Sequence, residues 1–270
     1  MSLLVVEIER SLRRRMVWAL VAIAVGGLLA LAIIAFISSA GLDPGVLEAR
    51  GERHPAVLAH WWDGKGGDSP LTIAAIFLLL GGLIGGAGVV GGEWRAGNVA
   101  TLLTWEPRRG RVLAARLGAI AVCSFLIAAI LQVVLLAALL PAVVAHGTTA
   151  GADRALALSV GAAILRISAL TAVAALLAGC LASVSRSTAI AIVGIGSWLT
   201  IGEGIVRARR PSWTGYLVGE NLTRTLTWNH LEGTGNASGP EQAALVLGSY
   251  LALAVLAAWW VFRRADATVA

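Results

Sequence analysis

Six apolar runs constrain what this chain can fold into more than any other feature. Two of the clearest are LTIAAIFLLLGGLIGGAGVV and VLAARLGAIAVCSFLIAAILQVVLLAALL. A helix needs about 20 apolar residues to cross a bilayer core of about 30 Å. Charged residues make up 13% of the 270, against about 25% in an ordinary soluble domain. The expected fold is therefore all-α, a single polytopic domain over 1–270. Its six transmembrane helices are expected at about 17–38, 71–91, 112–140, 164–182, 188–206 and 242–262.

Charge sets the expected orientation. Between the second and third runs lies GGEWRAGNVATLLTWEPRRGRVLAAR, from Gly91 to Arg116. It carries Arg95, Arg108, Arg109, Arg111 and Arg116 against Glu93 and Glu106. Short arginine-rich loops stay in the cytoplasm, so 92–111 reads as a cytoplasmic loop. Val99, Leu102, Leu103 and Trp105 supply the apolar side of a short helix over 97–106. Pro107 ends it, having no N–H to donate and disfavouring helix at the residue before it. Twelve of the 21 Lys and Arg side chains then lie inside with five acids, and nine lie outside with ten acids. Both termini belong in the cytoplasm.

The flanking segments follow. Leu4, Val5, Ile8, Leu12 and Met16 recur at helical spacing, and Glu7, Arg10, Arg13 and Arg14 lie off that stripe. Residues 2–16 therefore read as an amphipathic interfacial helix. The external stretch Ser39–Pro70 reads as a solvated loop, with Trp61 and Trp62 at the outer interface. His54 and His60 fit no metal spacing. Cys123 and Cys180 fall inside spans and read as packed thiols, not a disulfide.

Gly81/Gly85, Gly82/Gly86 and Gly88/Gly92 are small-xxx-small pairs that let helices approach closely. Gly86 to Gly91 spells G-x-G-x-x-G, but inside a membrane span that pattern has no strand before it, so a dinucleotide site is rejected. Arg166 sits 17 residues before Ser183, roughly 26 Å along a helix, which places it near the outer interface. Glu203 and Arg207 have ion-pair spacing. Residues 207–240 read as external, although Arg207, Arg209 and Arg210 oppose the charge rule there. One or two short helices between Ser212 and Trp228, broken near Gly215 or Gly219, would reconcile that segment with the outer leaflet. Trp213, Tyr216, Leu217, Leu222, Leu226 and Trp228 would form its apolar face. Asn221-Leu222-Thr223 and Asn236-Ala237-Ser238 match the glycosylation pattern.

The loop sequence E-W-R-A-G-N-V-A-T-L-L-T-W-E-P-R-R-G-R-V-L-A-A-R resembles the first cytoplasmic loop of ABC-2 type transporter permeases. Glu93, Gly97, Leu102, Leu103, Thr104, Pro107, Arg108, Arg109, Arg111 and Arg116 match that pattern in order. Arg116 stands where the family usually has Lys, and Trp105-Glu106 adds one residue before Pro107. Phe262-Arg263-Arg264-Ala265-Asp266 is similar to the family's closing tail, with Ala265 interrupting it. The resemblance implies a permease subunit in the plasma (inner) membrane, working as a pair of identical or homologous copies with separate ABC ATPase subunits. It also implies re-entrant helices in the external segment, and export of a drug, lipid, peptide or other amphipathic compound. On that reading Glu93, Gly97, Leu102, Leu103, Thr104, Pro107, Arg108 and Arg109 dock the ATPase.

No energy-converting site is legible in the chain. A P-loop needs G-x-x-x-x-G-K-[ST], and Lys65, the one lysine, lies in Gly64-Lys65-Gly66. No cofactor is expected in this chain. ATP and Mg belong to the partner ATPase, membrane lipids are expected neighbours, and nucleic acid is not an expected partner. Two other readings stay open: a membrane-embedded enzyme acting on lipid-linked substrates, and a membrane sensor or regulatory protein. The first would need paired carboxylates, a His cluster or a nucleophile near one interface, and no such set is visible.

Overall fold

The computed structural model describes residues 3–41, 54–62, 69–96, 109–149, 152–228 and 239–264. Among them the secondary structure is helical, with one isolated bridge between Val57 and Thr148. The helices are α1 (Leu3–Leu12), α2 (Arg15–Ser39), α3 (Pro70–Arg95), α4 (Arg109–His146), α5 (Arg154–Ser185), α6 (Thr188–Arg209), α7 (Val218–Thr227) and α8 (Pro240–Arg264). Six of them, α2 to α6 and α8, are long and apolar enough to cross a membrane. This suggests a multi-pass membrane protein.

Local chemistry sets the ends. Ser69 caps α3 ahead of Pro70, Asp153 caps α5 at 2.7 Å from the Leu156 N–H, and Ser187 caps α6. These are residues whose side-chain oxygens satisfy first-turn N–H groups. Arg186, at φ 54°, makes the left-handed turn from α5 to α6. α4 runs on through Pro141 to His146, past the end expected at 140. The α6 helix contains a π-helical segment, Trp198–Gly202. The Trp198 ring folds over Gly202, where a Cβ would fall 2.6 Å from it.

The centre of the bundle is the α3–α5 contact. Gly82 and Gly86 let the two backbones meet. A Cβ on Gly82 would sit 2.8 Å from the Thr171 carbonyl oxygen, and one on Gly86 would drive into the Ala175 carbonyl. That is the close approach the small-xxx-small spacing predicts. Gly81 and Gly85 behave differently: a Cβ on Gly81 would meet nothing within 4 Å, and one on Gly85 only Leu20 at 3.8 Å. Those two do not serve helix contact. Gln132 of α4 is fully buried and donates to Ser168 Oγ of α5 at 3.1 Å. Cys180 is buried among Val112, Leu113 and Leu117, Cys123 is half-buried, and both are free thiols.

Two expectations at one end of the bundle change: the solvated loop and the Glu203–Arg207 pair. Residues 54–62 are packed, not solvated: Ala56, Val57, Trp61 and Trp62 are buried. Trp61 and Trp62 pack against the bundle. His54 Nε2 lies 3.1 Å from Ser38 Oγ, and Leu58 N donates to Thr148 O. Arg166 stacks between two indoles, 5.7 Å from the Trp62 ring and 5.6 Å from the Trp228 ring. Glu203 does not pair with Arg207. Its carboxylate accepts the Gly219 N–H at 3.0 and 3.1 Å, at the start of α7, and Arg207 reaches Glu220 at 3.4 Å. A carboxylate is favourable at a helix N-terminus, where N–H groups lack partners.

A 3-10 helix, Pro211–Tyr216, precedes α7, with extended Leu217 between them. Of the two short helices, the first starts at Pro211, one residue before the window read from the sequence, and their break falls at Leu217, between the two glycines where it was expected. Their expected apolar face divides, however. Leu217 and Leu226 are buried, whereas Trp213, Tyr216 and Trp228 are exposed. Asn221 is fully buried and donates to the carbonyls of Gly215 and Leu217, so it is not an accessible glycosylation acceptor. Asn236 lies outside the described residues.

Candidate functional site

The site grows from one carboxylate. Glu93 stands near the end of α3, three residues before the chain leaves the described structure at Ala96. Its side chain is 2% exposed. Three guanidinium groups surround it: Arg14 from the α1–α2 junction, Arg116 from the second turn of α4, and Arg10 from α1 at 3.4 Å. Arg14 also donates to the Val89 carbonyl at 2.9 Å, and Arg116 is itself 2% exposed. Glu7 is buried beside this group and lies 3.8 Å from Arg10.

Desolvating such charges costs several kcal/mol per ion, recovered only by close pairing. Glu93 meets that condition by tying four segments together: α1, the α1–α2 junction, the end of α3 and the start of α4. Each is a helix end, so the cluster fixes where the 97–108 segment leaves α3 and enters α4.

The next residue extends the anchor. Trp94 meets Phe262 of α8 edge to face, with centroids 6.2 Å apart, and Arg186 lies 5.0 Å over its ring. Gly91 packs against the start of α6, where a Cβ would fall 2.7 Å from the Thr188 nitrogen. At the same end Arg263 and Arg264 stack on Trp259 and Trp260, at 4.6 and 4.0 Å. The ends of all six long helices thus gather around the base of this loop. The chain's described termini lie at that same end.

Among the residues expected to dock a partner, the structure places two. Glu93 is buried, and Arg109 opens α4. Gly97, Leu102, Leu103, Thr104, Pro107 and Arg108, with the helix expected over 97–106, lie outside the described residues. The Glu93 carboxylate is paired with this chain's own Arg10, Arg14 and Arg116. The two sides of α1 face differently. Glu7 and Ser11 are buried, and Leu4, Val5, Val6 and Leu12 are exposed. The polar side of α1 faces the bundle because Glu93 and Arg116 are there to receive it.

Sequence reasoning missed Arg10 and Arg14 as partners of Glu93. The available signal was an unpaired carboxylate at a span end, with an arginine run at the start of the neighbouring span. Among the described residues no group of three His, Cys, Asp or Glu side chains converges as a metal site would.

No protein-family model matches this chain, and no curated protein matches it either.

Proposed function

We propose that this chain is the permease subunit of an ATP-driven ABC-2 type exporter. It would move a drug, lipid, peptide or other amphipathic compound across the plasma (inner) membrane, with both termini cytoplasmic. One observation carries the reading: the loop whose sequence resembles the family's docking loop leaves α3 beside a carboxylate bound to α1, α2 and α4. A partner pressing on that loop pushes on the ends of α3 and α4 together. The Glu93 cluster passes the displacement to α1 and α2, and the Gly82/Gly86 interlock passes it to α5. Separate ATPase subunits bind ATP and Mg, and two permease copies enclose the path.

At the opposite end, the Arg166–Trp62–Trp228 stack and the Glu203-capped α7 close the outlet. Neither the enzyme reading nor the sensor reading has an observation in its favour. The test is to purify the chain from its native membrane under mild detergent and assay the eluate for ATP hydrolysis. A co-eluting ATPase in stoichiometric amount is expected. Intact chain that elutes without one, from cells expressing its native partners, contradicts the proposal.

A further inference from the structure

A groove runs down the side of the bundle between α2, α3 and α4, open along one flank, with a cavity volume of about 100 Å³. Its floor is Gly81, Gly82 and Gly85 of α3 with Thr171 of α5 behind. Val17 to Ala24 of α2 form one wall, and Ile120 to Leu131 of α4 form the other. The furrow exists because Gly81 and Gly85 present no side chain and face no helix closely. Leu12 of α1, Ile23 of α2 and Phe77 of α3 are exposed large apolar residues. From Phe77 to Val89 the groove follows about 18 Å of helix, close to the roughly 15 Å of half a bilayer core. It is therefore about one leaflet deep.

The two ends differ in charge. The deep end, near Ala24, Phe77 and Leu131, is wholly apolar. The other end reaches Ser11 and Leu12 on α1, between Arg10 and Arg13 and next to Arg14 and Arg15. Counting Arg10, Arg13, Arg14, Arg15 and Arg116 against Glu7, Glu9 and Glu93, that end carries two positive charges in excess. Arg15 is exposed, and Arg13 is exposed with only Glu9 beside it.

We propose that this groove holds one resident anionic phospholipid. An acyl chain lies along Gly81 and Gly85, and the phosphate sits at Arg13 and Arg15 of the α1–α2 junction. This pattern of charge and depth is that of a lipid in the leaflet on the arginine-bearing side. The lipid fills a gap between helices that the protein's own side chains leave open, and it joins α1 and α2 to α3. It needs the membrane reading but not the export reading, since a resident lipid is held without any ATPase.

Native mass spectrometry of the purified chain, in detergent with added phosphatidylglycerol or phosphatidylcholine, tests the assignment. Gly81→Leu is the informative variant: its first added atom meets nothing, and its side chain grows into the groove. Gly248→Leu, with equal room on α8, is the control. The expected result is one retained phosphatidylglycerol on the wild type and on Gly248→Leu, with about ten-fold preference over phosphatidylcholine from the surface charge. In Gly81→Leu that adduct is lost, and circular dichroism and elution volume are unchanged. Equal retention of both lipids, an adduct that survives Gly81→Leu, or loss of a dimer mass in place of a lipid mass would each overturn the proposal. The last of these would assign the groove to a second copy of the chain.

Discussion

Glu93 and Arg116 form an ion pair in which each side chain is only 2% exposed. One stands in the last turn of α3 and the other in the second turn of α4, so the pair ties together the helices on either side of the loop. Removing one partner of a buried pair costs about 3–5 kcal/mol, because the other charge stays buried and uncompensated. Glu93→Gln should therefore lower the denaturant midpoint of the purified chain substantially. Glu93→Leu combined with Arg116→Met should recover part of the loss, because it removes the most buried of the guanidinium groups left uncompensated while Arg10 and Arg14 remain. Additive losses in the double variant would mean that the two residues act separately.

The two glycine pairs of α3 should respond in opposite ways to the same substitution. Gly86→Ala places a methyl against the Ala175 carbonyl of α5 and should cost about 1–3 kcal/mol by forced overpacking. Gly81→Ala should change folded yield little, since its methyl meets open space. Fluorescence-detected size exclusion compares them directly. Equal yields would remove the α3–α5 interlock from the account.

Glu203 should control the order of α7. Glu203→Gln weakens the charge at the first turn, and Glu203→Ala leaves the Gly219 N–H without its acceptor, a loss of about 1 kcal/mol for a helix cap. Amide hydrogen exchange over 218–227 should quicken in Glu203→Ala. Gly219→Ala should do the same, because a Cβ there would lie 2.8 Å from the carboxylate oxygen. Unchanged exchange in both variants would show that α7 is held by other contacts alone.

Sidedness is tested by thiol labelling of intact cells in a Cys123→Ala, Cys180→Ala background. His60→Cys should react with an impermeant reagent and Gly97→Cys should not. Reaction at 97 would invert the topology. For depth in the 207–240 segment, probes belong at Trp213 or Tyr216, which are exposed, since Leu217 and Leu226 are buried in protein.

The helices were legible because length and hydropathy alone decide whether a segment can cross a bilayer. A break in the 212–228 segment was legible from local chemistry, whereas the caps at Ser69 and Asp153 were not read. What the sequence hid was pairing over long separations. Glu93 and Arg14 lie 79 residues apart, and no periodicity connects them. The helical stripe on α1 was real, yet its direction depended on Glu93 and Arg116 standing opposite. Glu203 had an arginine at ideal spacing and a helix N-terminus close by in space, and the N-terminus won. The spacing of Gly81 and Gly82 was the same for both pairs. Only the packing of α5 against one of them tells a helix contact from a groove.

The central claim is that the 97–108 loop, held at its base by Glu93, couples this chain to an ATPase. The most direct measurement is ATP hydrolysis co-eluting with the chain, compared between wild type, Leu103→Asp and Gly248→Leu. The account predicts activity with wild type and Gly248→Leu. It predicts loss of both the activity and the bound ATPase with Leu103→Asp, at equal membrane abundance. Undiminished ATPase retention by Leu103→Asp, with Leu102→Asp alike, would reduce the loop to a connector and contradict the account.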